Sequence, residues 1–132
     1  MATILLVDDN EVFRKMALRI LQHAGYQVRE ASDGGEALRC FAEAPVDLVI
    51  TDVLMPQTDG VQFISELRQR SAGIPIIAIS GGGLIDASAY LSVATCLGVA
   101  KILTKPFDAA TLLENVHAIL GDRKGANVPQ PA

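Results

Sequence analysis

The chain has 132 residues, half of them hydrophobic, no tryptophan and a formal net charge of -4 at pH 7. That length fits one domain with a core large enough to fold alone. The acidic balance argues against a general nucleic-acid binder, which carries a basic face, and no apolar run reaches the ~18 residues of a membrane span.

Met1-Ala2-Thr3 enters a strand directly, with no signal-peptide pattern, so a cytoplasmic location is expected. Thr3 to Val7 is an apolar strand that Asp8-Asp9-Asn10 ends. A helix follows with Val12, Phe13, Met16, Ala17, Ile20, Leu21 and Ala24 on one face, and Gly25 as its C′ residue. Tyr26 to Ala31 alternates like an edge or half-exposed strand. Asp33-Gly34-Gly35-Glu36 has capping-box spacing, and the helix it opens carries Ala37, Leu38 and Phe41 and stops before Pro45. Val46 to Thr51 is β-branched and apolar, a buried strand that ends on Asp52.

Met55-Pro56 and Asp59-Gly60 force a loop after Asp52. Val61, Phe63, Ile64 and Leu67 mark a third helix ending near Gly73. Pro75 to Ile79 is a fourth strand, closed by Ser80 and Gly81-Gly82-Gly83. A fourth helix is expected from about Asp86 to Leu97, with Leu91, Ala94 and Leu97 inward and Gly98 at its end. Val99 to Leu103 is a fifth strand, followed by Lys105-Pro106-Phe107. Asp108 caps a fifth helix with Leu112, Leu113, Val116, Ile119 and Leu120 as its stripe, and Gly121 as its end. Residues 1–121 form one domain on this reading, and the polar stretch 122–132 is a disordered tail. Cys40 and Cys96 lie far apart within helical patterns, as two small buried thiols rather than a disulfide. His23 and His117 fall on helices without evident partners.

Strands alternating with helices over short connections give an α/β fold, a doubly wound parallel sheet with helices on both faces. Each chemically interesting group then follows a strand: Asp8 and Asp9 the first, Asp52 the third, Ser80 the fourth, Lys105 the fifth. In such a sheet those ends line one edge, where ligands bind. Taken singly, each has an ordinary structural explanation: Asp52 a turn or cap, Asp8 and Asp9 a helix dipole, Ser80 a turn hydroxyl, Lys105 a solvated cation. Taken together they form a constellation. Three carboxylates repel one another and call for positive charge. Mg²⁺, a hard cation that takes carboxylate and phosphate oxygens, and the ammonium of Lys105 both answer that need. With the Ser80 hydroxyl they make a site for a phosphoryl group, and a carboxylate can itself be the nucleophile.

Asp8-Asp9, Asp52 with Met55-Pro56 and Asp59-Gly60 after it, Ser80, and Lys105-Pro106-Phe107 resemble the receiver domain of two-component response regulators, over about residues 3 to 120. The resemblance implies the flavodoxin-like five-stranded sheet of order 2-1-3-4-5 with five helices. It implies that Asp52 is the phosphoacceptor, and that a histidine kinase or phosphotransfer protein is the donor. Asp9, Asp52 and the backbone carbonyl of Leu54 would hold Mg²⁺, with Asp8 acting through a metal-bound water. Ser80 and Lys105 would contact the phosphoryl group, and Pro106 would hold the next turn in a cis bond. The output would be a bacterial, phosphorylation-controlled switch that binds a downstream protein or relays the phosphoryl group, with no direct binding to DNA or membrane.

Two positions depart from the family pattern. Ile102 stands three residues before Lys105, where the family has an aromatic rotamer switch. The interval from Ser80 to Lys105 is longer than usual, with Gly81, Gly82 and Gly83 in it. Readout is therefore expected around 84–90 rather than through a ring at 102. An Asp-nucleophile phosphatase would want an acid at Leu54, and a flavin or nucleotide binder would want a phosphate-cradling loop at Asp8-Asp9. A receiver that docks without phosphorylation is the remaining alternative.

Overall fold

The computed structural model describes residues 2–53, 60–80, 98–105 and 107–127, with the side chains of 60, 61 and 122–127 left aside. The expectations placed on Leu54, Met55-Pro56, Asp59, Gly81, Gly82, Gly83, the helix at 86–97, Cys96, Pro106 and the tail from 128 fall outside the described residues.

Five parallel strands, β1 (Thr3–Val7), β2 (Gln27–Ala31), β3 (Leu48–Asp52), β4 (Ile76–Ser80) and β5 (Lys101–Thr104), pair in the order β2-β1-β3-β4-β5. Four helices are described: α1 (Glu11–His23), α2 (Gly34–Glu43), α3 (Gly60–Arg70) and α4 (Ala109–Asn127). β3 and β4 are buried at every position, as the continuous apolar runs required, and β2 is the half-exposed edge.

The pleat sorts the core into two layers. Ile4, Leu6, Leu48, Ile50, Ile77 and Ile79 face α1 and α4, meeting Ala17, Leu21, Leu112, Val116 and Leu120. Leu5, Val7, Val49, Ile76 and Ala78 face α2 and α3, meeting Ala37, Phe63, Ile64 and Leu67.

The termini of the helices follow local chemistry. Asn10 caps α1, its side chain accepting from Phe13 N at 3.0 Å. At the other end Gly25 N donates to Gln22 O at 3.0 Å and Tyr26 N to Leu21 O at 3.2 Å. That pair is a Schellman motif, and Gly25 takes the φ of 98° it needs. Asp33 caps α2 through Glu36 N at 2.8 Å, but Glu36 returns to Ser32 N at 2.7 Å rather than to Asp33, so the box closes one residue earlier than its sequence spacing implies. Asp108 accepts from Thr111 N at 2.8 Å, and that bond holds its carboxyl below the usual range.

Several expectations are corrected. Val12 is 83% exposed and Met16 47%, although the helical period places both on the apolar stripe of α1. Each precedes a packed residue, Phe13 or Ala17, by one position, or about 100° of helix, so each falls at the margin of the stripe. α4 runs through Gly121 to Asn127. One glycine costs a helix only about 1 kcal/mol against alanine and does not by itself stop it. β3 begins at Leu48 instead of Val46, β4 includes Ser80, and β5 begins at Lys101. Cys40 is half-buried and free. His117 is exposed but has a partner, with its Nδ1 3.5 Å from the Tyr26 hydroxyl and the rings in edge contact at 6.0 Å.

Candidate phosphoryl-acceptor site

Register brings the acids together. β1 and β3 pair with Val7 opposite Thr51, so Asp8 and Asp52 emerge side by side at the carboxyl ends of neighbouring strands. β3 and β4 pair with Asp52 opposite Ile79, which puts Ser80 one residue farther along the next strand. β4 and β5 pair with Ser80 opposite Thr104, and Lys105 follows. Backbone bonds lock these ends: Asp8 N to Ala31 O at 3.1 Å, Val53 N to Ile79 O at 3.0 Å, and Lys105 N to Ser80 O at 2.8 Å.

One ligand oxygen from each of Asp8, Asp9 and Asp52 lies within 4.8 Å of the others. Asp8 is fully buried, Asp52 and Ser80 nearly so, and Asp9 is exposed. The Asp8 carboxylate accepts from Asn10 N at 2.9 Å and from Lys105 Nζ at 3.1 Å. Lys105 Nζ also donates to Asp52 Oδ2 at 3.2 Å. Burial works against the ammonium, but the charges of Asp52 and Asp8 and their hydrogen bonds outweigh it and raise its pKa. Hard oxygen donors, with Asp9 open to solvent, fit the ligand chemistry of Mg²⁺.

Residues with no distinguishing pattern in the sequence also surround the site. Arg14 Nη1 donates to Asp8 O at 2.7 Å while its Nε pairs with Glu30 at 3.0 Å. Lys15 pairs with the other oxygen of Glu30 at 3.0 Å. Lys105 Nζ stands 4.1 Å from the centroid of the Phe13 ring. Phe13 in turn meets Phe107 edge-on, with centroids 5.5 Å apart and an interplanar angle of 85°. In the sequence Phe13 was one more residue of an apolar stripe, with nothing to separate it from Ala17 or Leu21.

Of the expected site residues, Asp8, Asp9 and Asp52 converge, Lys105 pairs with Asp8 and Asp52, and Ser80 sits buried at the adjoining strand end. Ile102 lies opposite Ala78, half-buried against the α2 and α3 layer. Leu54, Pro106, Gly81, Gly82 and Gly83 are outside the described residues. Among the described residues no helix is long and apolar enough to cross a membrane.

Comparison with known proteins agrees with this geometry. The family model of the response regulator receiver domain matches residues 4–117. The transcriptional regulatory protein GlrR of Escherichia coli is 39% identical over 120 residues, which cover 90% of this chain and 26% of GlrR. The sensor kinase CckA of Brucella abortus is 37% identical over 121 residues, covering 90% of this chain and 12% of CckA. The chain thus spans about a quarter of the first relative and an eighth of the second. The Vibrio cholerae chemotaxis protein CheY4 superimposes with a TM-score of 0.82 at 34% identity, covering 90% of this chain and 98% of that one. A response regulator receiver domain protein from Clostridium thermocellum gives 0.85 at 28% identity, covering 94% and 98%. This chain belongs to the response regulator receiver domain family, the phosphorylation-controlled switches of two-component signalling.

Proposed function

We propose that Asp52 accepts a phosphoryl group from a phosphohistidine on a histidine kinase or phosphotransfer protein. The observation that carries this is the ammonium of Lys105 shared between Asp8 and Asp52 at 3.1 and 3.2 Å, beside a third carboxylate. In the transfer, the N–P bond of the donor breaks and an O–P bond to Asp52 forms. The electron pair of the broken bond goes to the imidazole nitrogen, which takes up a proton. No general base is required, because a carboxylate is already ionised near neutral pH.

Asp9 and Asp52, with the carbonyl of Leu54, would hold Mg²⁺, and Asp8 would act through a bound water. When bound, Mg²⁺ supplies positive charge for the carboxylates and for the transferred phosphoryl oxygens. Lys105 is held in place by Asp8 and re-aims from the Asp52 carboxylate to a phosphoryl oxygen. Ser80 offers its hydroxyl to another. Near-complete burial of Asp52 restricts the approach of water to the acyl phosphate.

The donor would dock on α1. Val12 and Met16 expose apolar surface there, Val12 next to Phe13 and Met16 about one turn beyond it, and Phe13 touches Lys105. Readout by a swinging ring at position 102 is not open to Ile102, so the switch would act through the segment that follows Ser80. The protein is a switch rather than a dedicated catalyst, biased by charge at one sheet edge. The switch would occupy residues 1–121, Leu120 being the last residue of α4 packed into the core, while the helical backbone continues past it to Asn127.

The test is an intact-mass spectrum after incubation with Mg²⁺ and acetyl phosphate. One added phosphoryl on the wild type, absent from Asp52→Asn, is expected. Equal mass gain on both proteins would move the acceptor elsewhere.

A further inference from the structure

Phe13 has more than a packing role. It lies in the first turn of α1, and its ring is half-buried against the α1 and α4 layer of the core. Its exposed neighbour Val12 shows that burial is not uniform in this turn. The ring presents itself to Lys105, whose Nζ lies 4.1 Å from its centroid. Phe107, two residues beyond Lys105, meets Phe13 edge-on and fixes the plane of its ring.

The ammonium therefore has two carboxylates, Asp8 at 3.1 Å and Asp52 at 3.2 Å, and an aromatic ring around it. The carboxylates are hydrogen-bond acceptors. The ring is not, but the negative face of its quadrupole attracts the charge without binding a proton or a metal. This matters because the carboxylates would change partners in the reaction. Bound Mg²⁺ would compete for them, and Asp52 would become an acyl phosphate. The ring neither ligates metal nor is phosphorylated, so it stays the same through the cycle beside Asp8.

We propose that Phe13, braced by Phe107, is a positioning residue that keeps the Lys105 ammonium over the acceptor carboxylate while its anionic partners change. This rests on the reading of Asp52 as acceptor. It adds a role for α1 in the chemistry, since a partner docked against Val12 would press on the turn that seats the lysine.

The test compares Phe13→Tyr, which keeps the ring, with Phe13→Leu, which keeps apolar burial but removes it. In the metal-free protein the Lys105 ε-methylene resonances, labelled with ¹³C, should carry a ring-current shift in wild type and Phe13→Tyr and lose it in Phe13→Leu. With Mg²⁺ and acetyl phosphate, Phe13→Leu should incorporate phosphoryl about three- to thirtyfold more slowly, the range of a partly desolvated cation–π contact. Phe13→Tyr should restore the rate. A folded Phe13→Leu with wild-type rate, or a Phe13→Tyr as slow as Phe13→Leu, overturns the proposal. If Phe13→Leu does not fold, Phe13→Met replaces it and is judged the same way. If no protein gains mass, the acceptor reading fails, while the ring-current shift still decides whether Phe13 seats Lys105: unshifted wild-type resonances overturn it.

Discussion

Lys105 Nζ lies 3.2 Å from Asp52 Oδ2 although 53 residues separate them, and the same nitrogen reaches Asp8 across 97 residues at 3.1 Å. One cation thus ties the carboxyl ends of β1 and β3 to the end of β5. Removing it as Lys105→Met leaves the buried Asp8 carboxylate without its cation. Breaking a buried pair of this kind should cost about 3 kcal/mol, read as a shift in the urea midpoint without a change in slope. Mg²⁺ should recover part of that loss. A variant as stable as wild type in chelator would show that the pair contributes nothing net.

Metal binding itself should raise stability, because the three-carboxylate cluster exists only in the folded chain. At a hundred times Kd the gain is about 2.7 kcal/mol. Asp9→Asn should abolish this gain while leaving stability in chelator close to wild type, since Asp9 is exposed. Thermal unfolding with Mg²⁺ and with chelator checks both. A full Mg²⁺ shift in Asp9→Asn would remove Asp9 from the ligand set.

Glu30 and Lys105 should act at opposite ends of the pH scale. Burial pushes the Glu30 carboxyl up, but Lys15 and Arg14 outweigh it and leave its pKa lowered. Its contribution is therefore present above the unfolded value of about 4.3 and is lost as pH falls through the lower folded value. The raised Lys105 pKa has the reverse sign. Its contribution is complete below the unfolded value of about 10.4 and fades only as pH rises through the folded one. Denaturation of Glu30→Gln should converge with wild type in acid, and that of Lys105→Met in strong alkali. A neutral-pH loss for either variant that persists unchanged through its own limb would contradict this assignment.

Arg68 should act as a carbonyl clamp. Its guanidinium donates to Ala72 O at 3.2 Å, to Ile74 O, and to Gly98 O at 2.8 Å. These contacts join the end of α3 to the start of β4 and to the approach to β5. Arg68→Ala should cost about 2 kcal/mol, because charged hydrogen bonds are lost and carbonyls are left short of donors. Arg68→Lys should recover only part, since an ammonium lacks the planar fork. Loss of amide-exchange protection at Ala100, whose N–H bonds Ile76 O at 2.8 Å, would report the loosening. Unchanged protection there would confine the effect to α3.

Tyr26 joins α4 to the sheet through His117. The hydroxyl-to-Nδ1 distance of 3.5 Å is at the limit of a hydrogen bond. The coupling energy between Tyr26→Phe and His117→Ala should therefore stay below about 1 kcal/mol. Burial raises the pKa of the Tyr26 phenol, so its ultraviolet titration should lie above that of free tyrosine. A larger coupling would make this pair a principal anchor of α4.

Much of the fold was legible because it rests on local rules. The apolar runs at Leu48–Ile50 and Ile76–Ile79, Gly25 after α1, and Asp33 and Asp108 as caps are each specified within a few residues. The acids were legible as a set for the same reason: each ends a run. What failed was also local in form. The stripe of α1 could not say that Val12 and Met16 would be exposed, because periodicity gives a direction and not the extent of the surface that covers it. Gly121 looked like a helix end, yet the chain stays helical to Asn127.

The sequence by itself determined the alternation of strand and helix, and which groups follow which strand, because backbone preference and hydrophobic period act over short stretches of chain. Only the tertiary structure decided that Lys105 pairs with Asp8 and Asp52 together, that Phe13 lies beneath its ammonium, that Arg14 reaches the carbonyl of Asp8, and that His117 meets Tyr26. Those partners are brought together by parallel register and by packing on the two faces of one sheet. Contacts of that kind depend on distances of a few ångströms between segments far apart in the chain, and no local pattern encodes them.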